Sequence, residues 1–335
     1  MISKFHKLAS RVEDLWATAG KEKSSFPEVC FNELSNFEFP HSLEELESEL
    51  ALWIQGSSLP KQLNVYNNFG QPPVTLFNNG KFVVDLYFWM NIDTSIHSHS
   101  FAGAFKVLYG QSLHEVFEVK PKKVYAEDVM STDISRVNTQ LLNQGATERI
   151  LAGNQFNHRV VHLDTPTVTL CIRTIDDKED TQWHHFPNGL SIEKRAPEEK
   201  VLKNLFYYEY LFNRNPEKGM AFLAEIIESW SISEMINLYE QMTTDSMGLS
   251  EDACGFFFET LNSIYGASEW YAIYESFYEQ LEDHVHAEGD SAVDRFMEHA
   301  INSNYSYVQA SQLLIMLQGH PLSEMQEMNF STLEK

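Results

Sequence analysis

Phe82-Val83-Val84-Asp85-Leu86-Tyr87-Phe88-Trp89 is a run of β-branched and aromatic residues, and Ile96-His97-Ser98-His99 follows it closely. Residues of this kind suit a pleated, half-buried surface. The neighbouring stretches share the character: Val74-Thr75-Leu76-Phe77 before the run, Phe105-Lys106-Val107-Leu108-Tyr109 and Val168-Thr169-Leu170-Cys171-Ile172 after it. Asn79-Gly80, Gly110 and Asp164-Thr165-Pro166 stand between them as turn signals. Many short strands separated by turns predict a sandwich or small barrel over residues 60–195. Side chains alternate across a strand, so His97 and His99 point to one face. A third histidine from a later strand, in Asn157-His158-Arg159-Val160, can close one face of a metal site. Three neutral imidazoles without a carboxylate leave positions open for water, oxygen or substrate.

The flanks read differently. Residues 1–59 are helical in pattern, with a capping box at Ser42-Leu43-Glu44-Glu45 ahead of Leu46, Leu50, Leu52 and Trp53. From 196 onward the pattern is helical again, with helices expected over 200–213, 217–229, 231–243, 250–263, 268–284 and, with an interruption, 291–318. A second capping box stands at Ser231-Ile232-Ser233-Glu234. Trp270, Tyr274, Phe277 and Tyr278 recur at helical spacing and belong to a core rather than a cofactor box. The expected class is α+β in three parts: a helical segment 1–59, a β-barrel 60–195 and an all-helical domain 196–335.

The chain has 335 residues, 43% hydrophobic and 13% aromatic, which is the composition of a folded globular protein with room for more than one domain. Its formal net charge of -24 argues against nucleic acid and against an anionic membrane surface. The excess is uneven: residues 201–335 hold 22 Asp and Glu against 5 Lys and Arg, as a solvated helix surface does. Three cysteines, Cys30, Cys171 and Cys254, suit a reducing compartment rather than a disulfide framework. Met1 to Ala19 lacks the apolar centre of a signal peptide, and no apolar run approaches the ~20 residues that span a bilayer. These features predict a cytoplasmic protein.

The β zone resembles a cupin, a double-stranded β-helix or jelly roll, and within the cupins the cysteine dioxygenase branch. The matching stretches are Asn79-Gly80-Lys81-Phe82, Ser95-Ile96-His97-Ser98-His99, Phe105–Gly110 with Leu113 and Glu115, and His158-Arg159-Val160 followed by Pro166–Leu170. They stand in order over residues 62–175. The resemblance implies a ferrous ion held by His97, His99 and His158, with His162 as the alternative third ligand; nickel or zinc could take the same donors. Cupins of the common kind add a glutamate after the paired histidines, whereas Phe101-Ala102-Gly103-Ala104 stands here, as in the three-histidine thiol dioxygenases.

The chain also departs from that family. The arginine that holds a substrate carboxylate is missing from Tyr66-Asn67-Asn68-Phe69-Gly70-Gln71-Pro72-Pro73. The active-site His and Tyr of the family fall on Cys171 and Arg173, and its crosslinked cysteine falls near Gly103 or Ala104. Arg173 and Cys171 are thus the candidate pocket residues. The guanidinium could clamp a carboxylate bidentately, or form a structural ion pair with Asp176 or Asp177. Arg159, beside the ligand, should point away from it. Trp183-His184-His185-Phe186 is expected on a surface loop. Glu282, His284, His286 and Glu298/His299 lack the duplicated spacing of a di-metal bundle site.

The expected function is an iron(II)-dependent dioxygenase that oxidises a small thiol or another chelating anion with O2. Phe101, Phe105 and Trp89 would be its apolar walls. The alternative is a non-catalytic metal- or ligand-binding cupin whose helical domain engages a protein partner. Cupin sheet edges also suggest a homodimer, and the helical domain could serve as a lid.

Overall fold

The computed structural model describes residues 2–39, 41–56, 58–63, 70, 73–90, 94–175, 180–193, 199–236, 251–273, 275, 289–323 and 326. Three helices come first: α1 (Ile2–Thr18), α2 (Phe26–Ser35) and α3 (Leu43–Ile54). Ser42 and Glu45 cap α3 reciprocally, as the sequence predicts. Among the described residues eleven strands follow: β1 (Pro73–Asn78), β2 (Phe82–Trp89), β3 (Ile96–His99), β4 (Gly103–Tyr109), β5 (Ser112–Ala126), β6 (Val129–Leu142), β7 (Thr147–Ile150), β8 (Gly153–His162), β9 (Thr167–Thr174), β10 (Trp183–His185) and β11 (Leu190–Glu193). The described helices after them are α4 (Glu199–Arg214), α5 (Pro216–Ser229), α6 (Glu251–Tyr265), α7 (Ala292–Asn302) and α8 (Tyr307–Gln318). The class is α+β. No helix among the described residues is long and apolar enough to cross a membrane.

The chain divides into two compact units, one of residues 1–118, 135–182 and 284–335, the other of 119–134 and 183–283. The helices expected as one domain from 196 onward therefore fall in both: α4, α5 and α6 in the second unit, α7 and α8 in the first.

In the first unit an antiparallel sheet runs in the order β1-β2-β9-β4-β7. Its two faces separate by strict alternation. Phe82, Val84, Leu86 and Phe88, with Ala104, Leu108, Leu170 and Ile172, share a core with Phe5, Val12, Trp16, Phe26, Leu34 and Leu46 of the N-terminal helices. Lys106 emerges on that same face and would be misplaced there without partners. Its Nζ donates to the carbonyls of Leu34 at 2.9 Å and Phe37 at 2.8 Å, so the ammonium satisfies the C-terminal end of α2. Burial lowers its pKa. Gly103 is required by close approach: a Cβ there would lie 2.0 Å from the carbonyl oxygen of Ile172 on the neighbouring strand.

The opposite face carries Tyr87, Phe105, Val107 and Cys171. They form a second core with Val160 and Leu142 from a layer in which β8 pairs with both β3 and β5, and β6 follows β5. The outer side of that layer, at Leu113, Val161 and Leu163, is covered by Phe296, Ala300, Tyr305, Ala310 and Leu314 of the last helices.

The second unit has β11 paired with β10 and with the start of β6. Its core joins Val129, Leu190 and Ile192 to Val201, Leu205, Tyr208, Leu223, Ile227 and Phe257. Trp183-His184-His185, expected on a loop, form a strand instead. Trp183 and His185 are buried while His184 is half-buried, and His185 Nδ1 lies 2.7 Å from Ser191 Oγ. A period-two signal needs more residues than this strand has. The predicted helices 231–243 and 268–284 lie largely outside the described residues, as do Tyr274, Phe277, Tyr278, Glu282, His284 and His286.

Candidate metal centre

His97 and His99 stand on β3, where the pairing with β8 sets His97 opposite His158 and His99 opposite Gly153, with a register shift between them. His97, His99 and His158 are all buried, and one ring nitrogen of each lies within 4.8 Å of the other two. His99 Nε2 is 2.8 Å from His158 Nε2. His97 Nδ1 donates to Ser95 O at 2.7 Å, which fixes the tautomer whose Nε2 carries a lone pair. Burial and the neighbouring imidazoles hold His158 well below the ordinary imidazole pKa, so it is a neutral ligand donor.

The three rings open onto a cavity of about 70 Å³ between the two sheets of the first unit. Tyr87, Trp89, Phe105 and Cys171 line it from one side, Val160 and His162 from the other, with Phe101 at its wall. Trp89, Phe101 and Phe105 are thus walls, as the sequence reading expects. The alternation that buries Phe82, Val84, Leu86 and Phe88 under the helices turns Tyr87 and Trp89 into this space. Trp89 Nε1 donates to Thr169 Oγ1 at 2.9 Å, and the indole stacks on His162 at 4.3 Å between centroids. His162 shares the strand face of His158 and the same cavity. It lies outside the three-histidine cluster, and its Nδ1 is 3.0 Å from Ser112 Oγ.

Cys171 faces the cavity, and burial pushes its thiol up to about 12, so it is a neutral wall group rather than a nucleophile. Arg173, two residues along on the same face, turns to Asp85: its Nε donates to Asp85 Oδ2 at 3.2 Å. That carboxylate also accepts from the Tyr87 hydroxyl at 3.2 Å, and the guanidinium lies 4.7 Å from the Phe101 ring centroid. The register explains the choice, because Asp85 pairs with Cys171 and is therefore diagonal to Arg173. Asp176, Asp177 and the stretch 66–69 with 71–72 lie outside the described residues.

Arg159 points away from the cluster, as alternation requires, and donates from Nε to Glu115 Oε2 at 2.6 Å. Glu115 is fully buried and also receives Arg136 Nη1 at 2.8 Å, Tyr305 Oη at 2.6 Å and His299 Nε2 at 3.2 Å. Burial would raise this carboxyl. The bonds from His299 and Arg159 outweigh it and hold the group well below the usual carboxylate range.

Sequence reasoning misses one residue behind the cluster. His114 Nε2 is 2.9 Å from His158 Nδ1, and Gln140 Nε2 is 3.2 Å from His114 Nδ1. The available signal was the strand alternation around Leu113 and Glu115, which turns His114 to the side of His158; the register aligns it with Val160.

No family model matches the chain, and no curated protein does. Solved structures to which it is similar include a DMSP lyase of Ruegeria pomeroyi DSS-3, at 12% identity over 54% of this chain and 95% of that one, with a TM-score of 0.28. A second is hydroquinone 1,2-dioxygenase of Sphingomonas sp. TTNP3 with 4-hydroxybenzoate bound, at 10% identity, 36% and 83% coverage and a TM-score of 0.25. A third is a cupin-superfamily sugar phosphate isomerase of Silicibacter pomeroyi DSS-3, at 15% identity, 42% and 85% coverage and a TM-score of 0.25. At these TM-scores the likeness carries no argument for activity.

Proposed function

We propose that the protein is a cupin-type metalloenzyme that holds a ferrous ion on His97, His99 and His158 and oxidises a small anionic substrate, a thiol foremost, with O2. The supporting observation is the convergence of three buried imidazoles on the wall of an apolar cavity. A donor set of imidazoles suits iron, nickel, copper or zinc and leaves the ion its full positive charge. Such an ion would supply electrophilic and redox chemistry toward an anionic donor and O2.

The chain's own groups would do the rest. Trp89, Phe101, Phe105 and Tyr87 keep bulk water out and shape the space for a compact, largely apolar molecule. No Lys or Arg lines the cavity among the described residues, and Arg173 is engaged by Asp85. A substrate carboxylate would therefore lack the counter-charge that cysteine needs, so a thiol with an uncharged tail fits better.

The test is anaerobic loading with Fe(II), followed by O2 uptake over a panel of small thiols and chelating acids. One equivalent of iron with thiol-dependent O2 uptake, abolished in His97→Ala, is the expected result. Unchanged O2 uptake by His97→Ala would overturn the assignment. A folded protein with no affinity for divalent metals would favour a ligand-binding module instead.

A further inference from the structure

His114 is 1% exposed and stands directly behind His158, their rings perpendicular with centroids 5.1 Å apart. The chain of bonds runs on: His158 Nδ1 to His114 Nε2, His114 Nδ1 to Gln140 Nε2, and Gln140 Nε2 to Glu148 Oε1 at 2.6 Å. Its direction follows from the far end. An amide N–H is the group that can face a carboxylate oxygen, so Gln140 donates both to Glu148 and to His114 Nδ1. His114 then carries its proton on Nε2 and donates to His158 Nδ1. His158 in turn carries its proton on Nε2 and donates to His99 Nε2. Each ring thus has one protonated and one lone-pair nitrogen.

A cation on His158 Nε2 requires a lone pair there, so the proton of His158 must sit on Nδ1. His114 must then accept at Nε2 and carry its own proton on Nδ1, where it meets the N–H of Gln140. Turning the Gln140 amide about its Cγ–Cδ bond replaces that N–H by Oε1, an acceptor.

We infer that His114 and Gln140 are positioning residues of the metal centre, forming a relay whose hydrogen-bond direction reverses when a divalent cation binds His158 through Nε2. The inference rests on the proposed ligand set His97, His99 and His158. Protons balance across the two rings. One leaves His158 Nε2, one passes from His114 Nε2 to His158 Nδ1, and one enters at His114 Nδ1. With the amide turned, Oε1 faces Glu148 Oε1, and this contact closes only when the carboxylate takes up one proton from solvent, a change that its burial favours. In the reversed state His158 donates through Nδ1 to an imidazole, which orients the ring and makes its Nε2 a better ligand.

The experiment is a zinc(II) titration of the full-length, ¹⁵N-histidine-labelled chain, read by long-range ¹H–¹⁵N correlation spectra that distinguish the two neutral tautomers. The expected result is that the protonated nitrogen of His114 changes from Nε2 to Nδ1 as one equivalent of zinc binds. Gln140→Leu, at a half-buried position, is expected to keep its fold and to weaken zinc affinity about tenfold, the lower end of the usual effect of losing an outer partner. Zinc uptake with His114 remaining an Nε2–H tautomer overturns this inference and leaves the ligand assignment standing. Gln140→Leu with the parent's zinc affinity overturns the part assigned to Gln140. No zinc uptake at all overturns the ligand assignment and the relay with it.

Discussion

Replacing Glu115 by glutamine, a change of one heavy atom, should loosen the first unit. Glu115 is fully buried and accepts four bonds, from Arg136, Arg159, Tyr305 and His299, which tie β5, β8, β6, α7 and the segment that follows α7 together. Glutamine keeps one acceptor oxygen and sets an N–H against the donors on the other side. It also leaves two guanidinium groups without their counter-charge. Breaking a buried pair by removing one partner costs about 3–5 kcal/mol. The Arg136 and Arg159 side chains are 15% and 14% exposed, so water relieves part of that penalty and ~3 kcal/mol is the expected loss. The measurement is urea unfolding read through hydrogen exchange of the amides of residues 112–118 and of β8, which lie in this unit. The pH dependence follows from the lowered carboxyl. A depressed folded-state pKa gives stability that is complete above the unfolded glutamate value of about 4.3 and is lost as pH falls below it. The gap between parent and Glu115→Gln should therefore be full at pH 7 and narrow below pH ~4. A difference under ~1 kcal/mol at pH 7, or a gap that does not narrow in acid, would refute the reasoning.

Three further outcomes can be checked. Gly103→Ala puts a Cβ into the Ile172 carbonyl and should abolish soluble expression or cost more than ~3 kcal/mol in unfolding, where a tolerated change would show a ladder looser than described. Lys106→Met removes the donor to the Leu34 and Phe37 carbonyls and should cost about 1–3 kcal/mol, seen as faster exchange at the end of α2. Asp85→Leu leaves Arg173 buried without its carboxylate and should cost about 3–5 kcal/mol; parent-like melting would mean that the pair contributes nothing.

The inner strands were legible because each face is buried against a different core. Alternation then writes two separate apolar patterns into β2, β4 and β9, and it set His97 and His99 on one side, while the resemblance favoured His158 over His162. The Asn79-Gly80 turn and the α3 capping box were readable for the same local reason, since their chemistry is complete within a few residues. Arg173 was harder. Its partner Asp85 lies on a strand distant in sequence, and strand order was needed to bring the two together. Alternation around Leu113 and Glu115 gives the side to which His114 turns, but only the register with β8 sets it behind a ligand, and Gln140 has no local signature at all. The long β5 and β6 carry Lys120, Lys122, Lys123 and Arg136 and have little apolar pattern to announce them. The division of the helices between two units is likewise a matter of tertiary packing, because α7 and α8 cover Leu113, Val161 and Leu163 while α4 and α5 cover Val129, Leu190 and Ile192.

The most direct test of the metal centre is the stoichiometry of divalent-metal binding by calorimetry, on the parent chain and on His97→Ala, His99→Ala and His158→Ala. One site per chain that each of the three substitutions weakens at least a hundredfold, with His162→Ala leaving it within a few-fold of the parent, is the expected result. Binding that survives all three substitutions, or that disappears only in His162→Ala, would contradict it.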